Sequence, residues 1–471
     1  MIRCGRLILE AAHGCDARSG VVRGRAAKKG GADFFSALVD QRTSCLRRLG
    51  GGRSGQVRFG RFLHNPAVTA AEMIATAADH TARAAEGRHV LAIQDTTELN
   101  FAKHSGSKRG FGRAGNGVDI GLFLHPVVVV AADSGGILGL AEAITLNRTR
   151  PVTKHRRKRP VERKESQRWL DGLDAASRVL RSAQLVTMIA DRECDFYAEL
   201  IAPRPANVHL LIRSGQDRGL LGGGLLFAAA DAFPVAGHRT LDVPARPGGR
   251  PARKARLAIG FGSVSIARPQ HAVPKDWPKS AELQLVIARE IDPPEGEKPI
   301  IWRLLTTHAV ENLTDAERII AFYRRRWIIE QVFRTLKTQG FDIEESQVLD
   351  ADTMIKLATA TLIAAVRVMQ LVMARDGSTG QQLSDALDPS DEPLVEALVR
   401  KLEGATAKQK NPHPKRSLAR FAWVVGRLGG WDGYVGHGYK PAGPKTMAYG
   451  LQRFDAMRHG WKLRQQLPDH A

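Results

Sequence analysis

Two apolar runs of strand length, HVLAIQD (His89–Asp95) and LVTMIAD (Leu185–Asp191), constrain what this chain can fold into more than any other feature. Both are short and strand-like, and both stop at an aspartate. As strands of one sheet they bring two carboxylates out at the same rim. Between them lie LFLHPVVVVAA and GGILGLAEAITL. These read as two more strands, the first too uniformly apolar to face water on either side. A charge run over Pro151–Arg168 leads into a helix through Trp169 to Leu180, and RECDFYAEL starts another helix after the second aspartate. Strands and helices in this order predict a mixed α/β sheet covered on both faces.

The flanks differ from this centre. Residues 1–60 are basic and rich in glycine; Ala32–Leu49 and Arg61–Ala78, the latter opened by Asn65-Pro66, predict two amphipathic helices of a small N-terminal domain over 1–85. From about 205 to 295, short strand-like pieces (VHLLIRS, RTLDVPA, ARLAIGFGSVSI, LQLVIARE) predict a β-rich insertion within a central domain over 86–374. The strand IIWRLLTT, one long helix from Thr314 to about Gln339, and a second from Asp352 to Ala374 complete that domain. Arg367 and Gln370 interrupt the apolar stretch Leu357–Ala374, which reads as a buried helix and not a membrane span. Residues 375–471 predict a helical tail with helices at Glu392–Leu402, Leu418–Leu428 and Lys445–Leu463.

Of the 471 residues 43% are hydrophobic, which excludes a disordered tail, and a net charge of +22 points to a polyanionic partner, nucleic acid first. Cys4, Cys15, Cys45 and Cys194 are too dispersed for a zinc site or a disulfide scaffold, so a reducing cytoplasm is expected. The start of the chain is too weakly apolar for a signal peptide. The loop HSGSKRGFGRAGNG lacks the Gly-Lys-Ser/Thr of a P-loop and reads as a flexible basic loop touching DNA backbone. His104, His125 and His308 have no metal spacing.

Candidate chemistry rests on Asp95, Asp191 and a third acid, Glu330. Three convergent carboxylates can hold a pair of Mg²⁺ ions, which activate a water and stabilise a leaving oxygen on phosphate. The competing reading is that Asp95-Thr96-Thr97-Glu98 is a capping box and Asp191 a helix cap. On a continuous helix, Tyr323, Arg326, Glu330 and Lys337 share an arc of about 60° at about 100° per residue. Ile328, Ile329, Val332, Phe333 and Leu336 form a separate apolar sector. The plain alternative is a solvated face with an Arg326–Glu330 pair worth a few tenths of a kcal/mol.

Tyr323-x2-Arg326-x3-Glu330-x6-Lys337 resembles the Tyr-Arg-Glu-Lys signature of the DDE transposases of the insertion-sequence-four family. AIQ-Asp95-Thr96-Thr97 and Asp191-Arg192-Glu193-x-Asp195 are similar to that family's two catalytic-aspartate motifs, in the expected order. Further similarities are Arg61-Phe62-x-x-Asn65-Pro66, Lys164-Glu165-Ser166-x-Arg168-Trp169 and Arg427-Leu428-Gly429-Gly430-Trp431; Cys15-Asp16-Ala17-Arg18 matches the start of the family's first DNA-binding helix only in part.

The resemblance implies a ribonuclease-H-like catalytic core with a β-rich insertion, flanked by helical N-terminal and C-terminal domains. The N-terminal domain would read terminal inverted repeats, and the tail would pair two protomers of a homodimer. It implies cut-and-paste transposition in a bacterial cytoplasm, by hydrolysis at the repeats and strand transfer into target double-stranded DNA. Asp95, Asp191 and Glu330 would be catalytic and would hold two Mg²⁺ ions, replaceable by Mn²⁺. Tyr323, Arg326, Lys337, Trp302 and Arg213 would contact DNA, with Trp302 associated with a flipped base. Neither a membrane nor a small-molecule substrate is expected. The rivals are a nuclease of the same fold that does not transfer strands and a non-catalytic DNA-binding regulator.

Overall fold

A computed structural model of the chain describes residues 31–466 except 32, 35–36, 39–42, 150–163, 244, 246–250, 271–273, 275, 339–340 and 435–439. The basic arm before residue 31 and most of the charge run before Arg168 therefore lie outside the described residues.

Helix α1 (Arg53–His64) and helix α2 (Ala70–Ala85) lead into strands β1 (His89–Gln94), β2 (Thr97–Asn100), β3 (Gly112–Arg113), β4 (Ile120–Ala131) and β5 (Ile137–Leu146). Then follow α3 (Gln167–Val179), β6 (Leu185–Ala190), α4 (Tyr197–Ile201), β7 (Val208–Arg213) and α5 (Leu226–Ala232). Strands β8 (Gly237–Val243), β9 (Arg253–Ala267), β10 (Ser280–Ile291) and β11 (Ile301–Thr306) precede α6 (Leu313–Arg324), α7 (Trp327–Lys337) and α8 (Ala351–Ala374). Helices α9 (Glu392–Leu402), α10 (Leu418–Leu428) and α11 (Pro444–Gln466) end the described chain.

All the strands join one mixed sheet, ordered β2-β4-β1-β6-β7-β11-β10-β9-β8, with β3 and β5 paired to β4. β1 runs antiparallel to β4 and parallel to β6, and β6 runs parallel to β7. Alternation sorts the central side chains onto two faces. Leu91, Ile93, Ile189 and Leu211 join the larger core with α7 and α8, whereas Val90, Ala92, Val186, Met188 and Ile212 pack against α3 and α4. Strand β4, apolar but for His125, is buried on both sides.

Several expectations from the sequence need correction. The expected helix Arg61–Ala78 is two helices, because Pro66 disfavours helical backbone at Asn65, which stands at φ −63°, ψ 121°. Thr69 then caps α2 by accepting a hydrogen bond from Glu72 N at 3.2 Å. Thr43 to Cys45 are non-helical, so Ala32–Leu49 is not one helix either. Val208–Arg213, grouped with the β-rich pieces, pairs with β6 as a central strand. The Lys103–Gly117 loop is pinned, since Lys108 Nζ donates to Ser346 O at 2.7 Å and Val348 O at 2.6 Å, and Lys103 pairs with Glu345 at 2.6 Å. Burial lowers the Lys108 amine to about 8.

The expected long helix from Thr314 breaks at Arg325–Arg326, between α6 and α7. Arg325 makes the turn possible: its guanidinium donates to Ala131 O at 2.9 Å, to Ala132 O, and to Asp133 O at 2.6 Å. Gly135, at φ +76°, lets this side chain lie against the β4–β5 turn, where a Cβ would meet Arg325 Nε at 3.3 Å. Helix α8 is long and apolar enough to cross a membrane by composition, but 89% of its most apolar stretch is buried inside the protein. The tail helices α10 and α11 pack on α8 within the larger core, and Arg458 ties α11 to the start of α9 through Asp391 at 2.6 Å.

Candidate active site

The pairings Ile93↔Ile189 and Ala190↔Ile212 set the register of β1, β6 and β7. Carried to the strand ends, that register puts Asp95, Asp191 and Arg213 level with one another. Alternation turns all three toward the face of Ile93, Ile189 and Leu211. Helix α7 covers this face, burying Ile329, Val332 and Leu336, and places Glu330 in its first turn beside the strand ends.

Arg326, at the N-cap of α7, links the acids. Its Nη1 donates to Asp95 Oδ2 at 2.7 Å and its Nη2 to Glu330 Oε1 at 2.7 Å. The three side chains are 13%, 15% and 32% exposed, so this network is much less screened than a surface pair. Burial raises the Asp95 carboxyl to about 6; Asp191 and Glu330 push it the same way, against Arg326 and the Thr96 N–H. Each aspartate is oriented by a nearby backbone amide. Thr96 N donates to Asp95 Oδ1 at 2.8 Å, and Glu193 N to Asp191 Oδ1 at 2.8 Å. Asp191 thus does cap the short 3₁₀ turn Arg192–Cys194, as the plainer reading held. The capping-box reading of Asp95–Glu98 fails, because Thr97–Asn100 is strand β2.

Among the described residues, no group of three or more His, Cys, Asp or Glu side chains is closed into a ready metal cluster. The Arg326 guanidinium lies between Asp95 and Glu330, where a divalent ion held by both carboxylates would have to sit. The donor set still suits such an ion, because three carboxylates are hard oxygen ligands.

Around the acids, Tyr323 is buried, its ring centroid 5.7 Å from that of Trp302 at 65° and its hydroxyl within the electrostatic reach of Arg213. Burial raises the pKa of that phenol. Arg213 also donates to Ile301 O at 3.3 Å. Tyr323, Trp302, Arg213 and Arg326 therefore do gather at the strand ends. They gather through sheet register and the break between α6 and α7, rather than along the face of one helix. Lys337 stands apart, at the far end of α7, paired with Glu344 at 3.4 Å. It lies seven positions on from Glu330, about 10 Å along the helix axis.

One residue, Trp327, escaped the sequence reading, and one named there only within a motif, Asp195, has a structural task. Trp327 is 54% exposed beside the acids, with Arg326 Cζ 5.7 Å from its ring centroid; the signal was an aromatic directly after Arg326. Asp195, fully buried, accepts from Gly215 N at 2.8 Å, Gln216 N at 3.0 Å, Ser214 Oγ at 3.2 Å and Arg218 Nε at 2.9 Å, fastening the loop after β7 to the loop after β6. His308 stacks on His209 at 4.2 Å, and His125 lies buried beneath Thr96.

The family model described as the transposase DDE domain matches residues 123–366. That span is just over half of the chain and includes every candidate site residue except Asp95, which precedes it. Among solved structures, the cryo-EM structure of the piggyBac transposase synaptic complex with hairpin DNA aligns over 87% of this chain and 87% of that chain. Its sequence identity is 8% and its TM-score 0.34.

Proposed function

Because the chain belongs to the transposases with a DDE domain, and is an enzyme of that kind, we propose that it carries out cut-and-paste transposition, hydrolysing phosphodiester bonds at terminal inverted repeats and joining the freed 3′ ends to target DNA. The observation that carries this reading is the placement of Asp95, Asp191 and Glu330 at one rim of the sheet, with the Arg326 guanidinium between Asp95 and Glu330. The order β5-β4-β1-β6-β7, with β1, β6 and β7 parallel, supports a ribonuclease-H-like core. The spacing from Tyr323 to Lys337 supports membership of the insertion-sequence-four group.

Asp95, Asp191 and Glu330 would hold two Mg²⁺ ions, or Mn²⁺, whose chemistry when bound is to activate the attacking oxygen and stabilise the leaving one. The chain's own residues do the rest. Arg326 forks two parallel N–H donors toward an anion, and a phosphate entering the site competes with the carboxylates for them. Arg213, level with Asp191, and the nearby Tyr323 hydroxyl offer further donors to the same strand. The exposed Trp327 ring and the half-buried Trp302 offer faces for unstacked bases. Lys337, off the acids, would contact backbone farther along, and the +22 charge supplies sequence-independent affinity that falls with salt. The helical N-terminal region would read the repeats, and the tail would join two protomers in a homodimer.

The test is incubation of the full chain with duplex DNA bearing the element's own ends and Mg²⁺. Asp95→Ala, Asp191→Ala and Glu330→Ala should each abolish nicking and strand transfer while retaining end binding. Wild-type cleavage by any of them removes that residue from the site, and cleavage without joining would favour a simple nuclease.

A further inference from the structure

We propose that Arg168 is a positioning residue that sets the two catalytic aspartates relative to each other, an inference resting on the function proposed above. Its Nε donates to Thr96 Oγ1 at 2.8 Å, and its Nη2 pairs with Glu193 Oε2 at 3.1 Å. Thr96 and Glu193 are the residues whose backbone amides orient Asp95 and Asp191. One guanidinium thus bridges the two loops that carry the carboxylates, and the third bond, Nη1 to Glu165 O at 2.7 Å, anchors it to the chain leading into α3. The Thr96 end is the firmer one, since Arg168 is 11% exposed while Glu193 is 62% exposed and its pair is screened.

Local structure gives no reason for an arginine here. Arg168 lies in the first turn of α3, where the helix dipole disfavours a cation, and burial lowers its pKa. What it receives in return are the contacts to the two loops. They also order the groups beneath. Gln94 Oε1 only accepts, so the neutral His125 ring keeps its proton on Nε2 and its Nδ1 accepts from the Thr96 hydroxyl at 2.9 Å. His125 Nε2–H then points to Gln94 Oε1 at 3.3 Å, and Gln94 is the last residue of β1 before Asp95. Burial, reinforced by Arg168, holds His125 well below the usual histidine range, as a neutral ring in this chain must be. The bridge therefore grips Asp95 from its following residue directly and from its preceding residue through Thr96 and His125.

The experiment measures two quantities on the full chain: Mn²⁺ binding to the protein alone, by electron paramagnetic resonance, and single-turnover cleavage of end-bearing duplex. Arg168→Gln should weaken Mn²⁺ binding and slow cleavage, each by about 10- to 100-fold, with end-DNA affinity in the absence of metal within about twofold of wild type. Arg168→Lys, whose single ammonium cannot span both loops, should recover only part. Thr96→Val should cost less in the Arg168→Gln background than in the wild-type chain, because the bond the two residues share is already gone. Arg178→Gln, an exposed residue of the same helix, serves as the control. Wild-type Mn²⁺ affinity and rate in Arg168→Gln overturn the inference. If that variant does not fold, Thr96→Val alone decides, and unchanged Mn²⁺ binding there overturns it. A wild-type chain that cleaves DNA with no divalent ion overturns the transposition reading and this inference with it.

Discussion

Arg326 holds Asp95 and Glu330 at 2.7 Å each, so Arg326→Ala acts on folding, metal binding and chemistry in different directions. For folding, the Glu330 contact is an i,i+4 pair worth about 0.3–0.5 kcal/mol. The Asp95 contact is more enclosed, and stripping a buried carboxylate of its partner costs at most about 3–5 kcal/mol. Asp95 relieves much of that by taking up a proton, since its pKa already stands at about 6 and rises further without the guanidinium. A loss of about 1–2 kcal/mol is the expected net result, the usual scale for a core-edge substitution. For chemistry, removing a positioned electrostatic interaction with the reacting phosphate costs about 2–4 kcal/mol. That corresponds to a rate lower by roughly 30- to 900-fold. For metal, the substitution removes the competing cation, so the free protein should bind Mn²⁺ more tightly at neutral pH. Slower cleavage beside tighter Mn²⁺ binding is the signature, read by single-turnover kinetics and electron paramagnetic resonance, and Arg326→Lys should fall between. Wild-type cleavage together with a lowered melting temperature would refute the phosphate grip and leave only a helix salt bridge. Weaker or unchanged Mn²⁺ binding would refute the idea that the guanidinium occupies an ion's place.

Tyr323→Phe keeps the ring against Trp302 and deletes the hydroxyl near Arg213, so cleavage should fall with a change in melting temperature of only a few degrees; wild-type cleavage would remove the phenol from the site. Arg53→Glu and Arg61→Glu, both exposed on α1, should weaken end binding and flatten the dependence of log affinity on log salt by about one for each phosphate that is no longer neutralised; an unchanged slope would move DNA binding off that helix. Ending the chain after Arg375 uncovers the apolar α8, and deleting residues 1–85 removes α2 from the core, so aggregation of both is expected in size-exclusion chromatography. Burial, then His209, His89 and Arg318, depresses His308 to about 3, below its unfolded value. The unfolded chain therefore binds the extra proton, and this contribution is present above about pH 6.5 and lost as pH falls toward 3, at up to about 1.4 kcal/mol per pH unit. His308→Asn should flatten the acid limb of denaturant-derived stability against pH, and an unchanged limb would show the ring does not carry it.

The sequence by itself determined the strands that end in Asp95 and Asp191, the burial of β4 on both faces, and the helices Glu392–Leu402 and Leu418–Leu428, whose bounds match. Such features are local: hydrophobic periodicity states which side of an element meets the core, and a polar residue ending an apolar strand has to leave it. Tertiary structure decided everything that depends on pairing across the chain. Register put Asp95, Asp191 and Arg213 on one level. The carbonyls of the β4–β5 turn captured Arg325 and broke a helix whose periodicity alone ran through, so Arg326 faces Asp95 while Lys337 turns to Glu344. Arg168 meets Thr96 across 72 positions and Glu193 across 25, distances over which no repeat or spacing carries information. A charge finds its partner only once strands and helices have packed, because ion pairing acts over a few ångströms in space and is indifferent to separation along the chain.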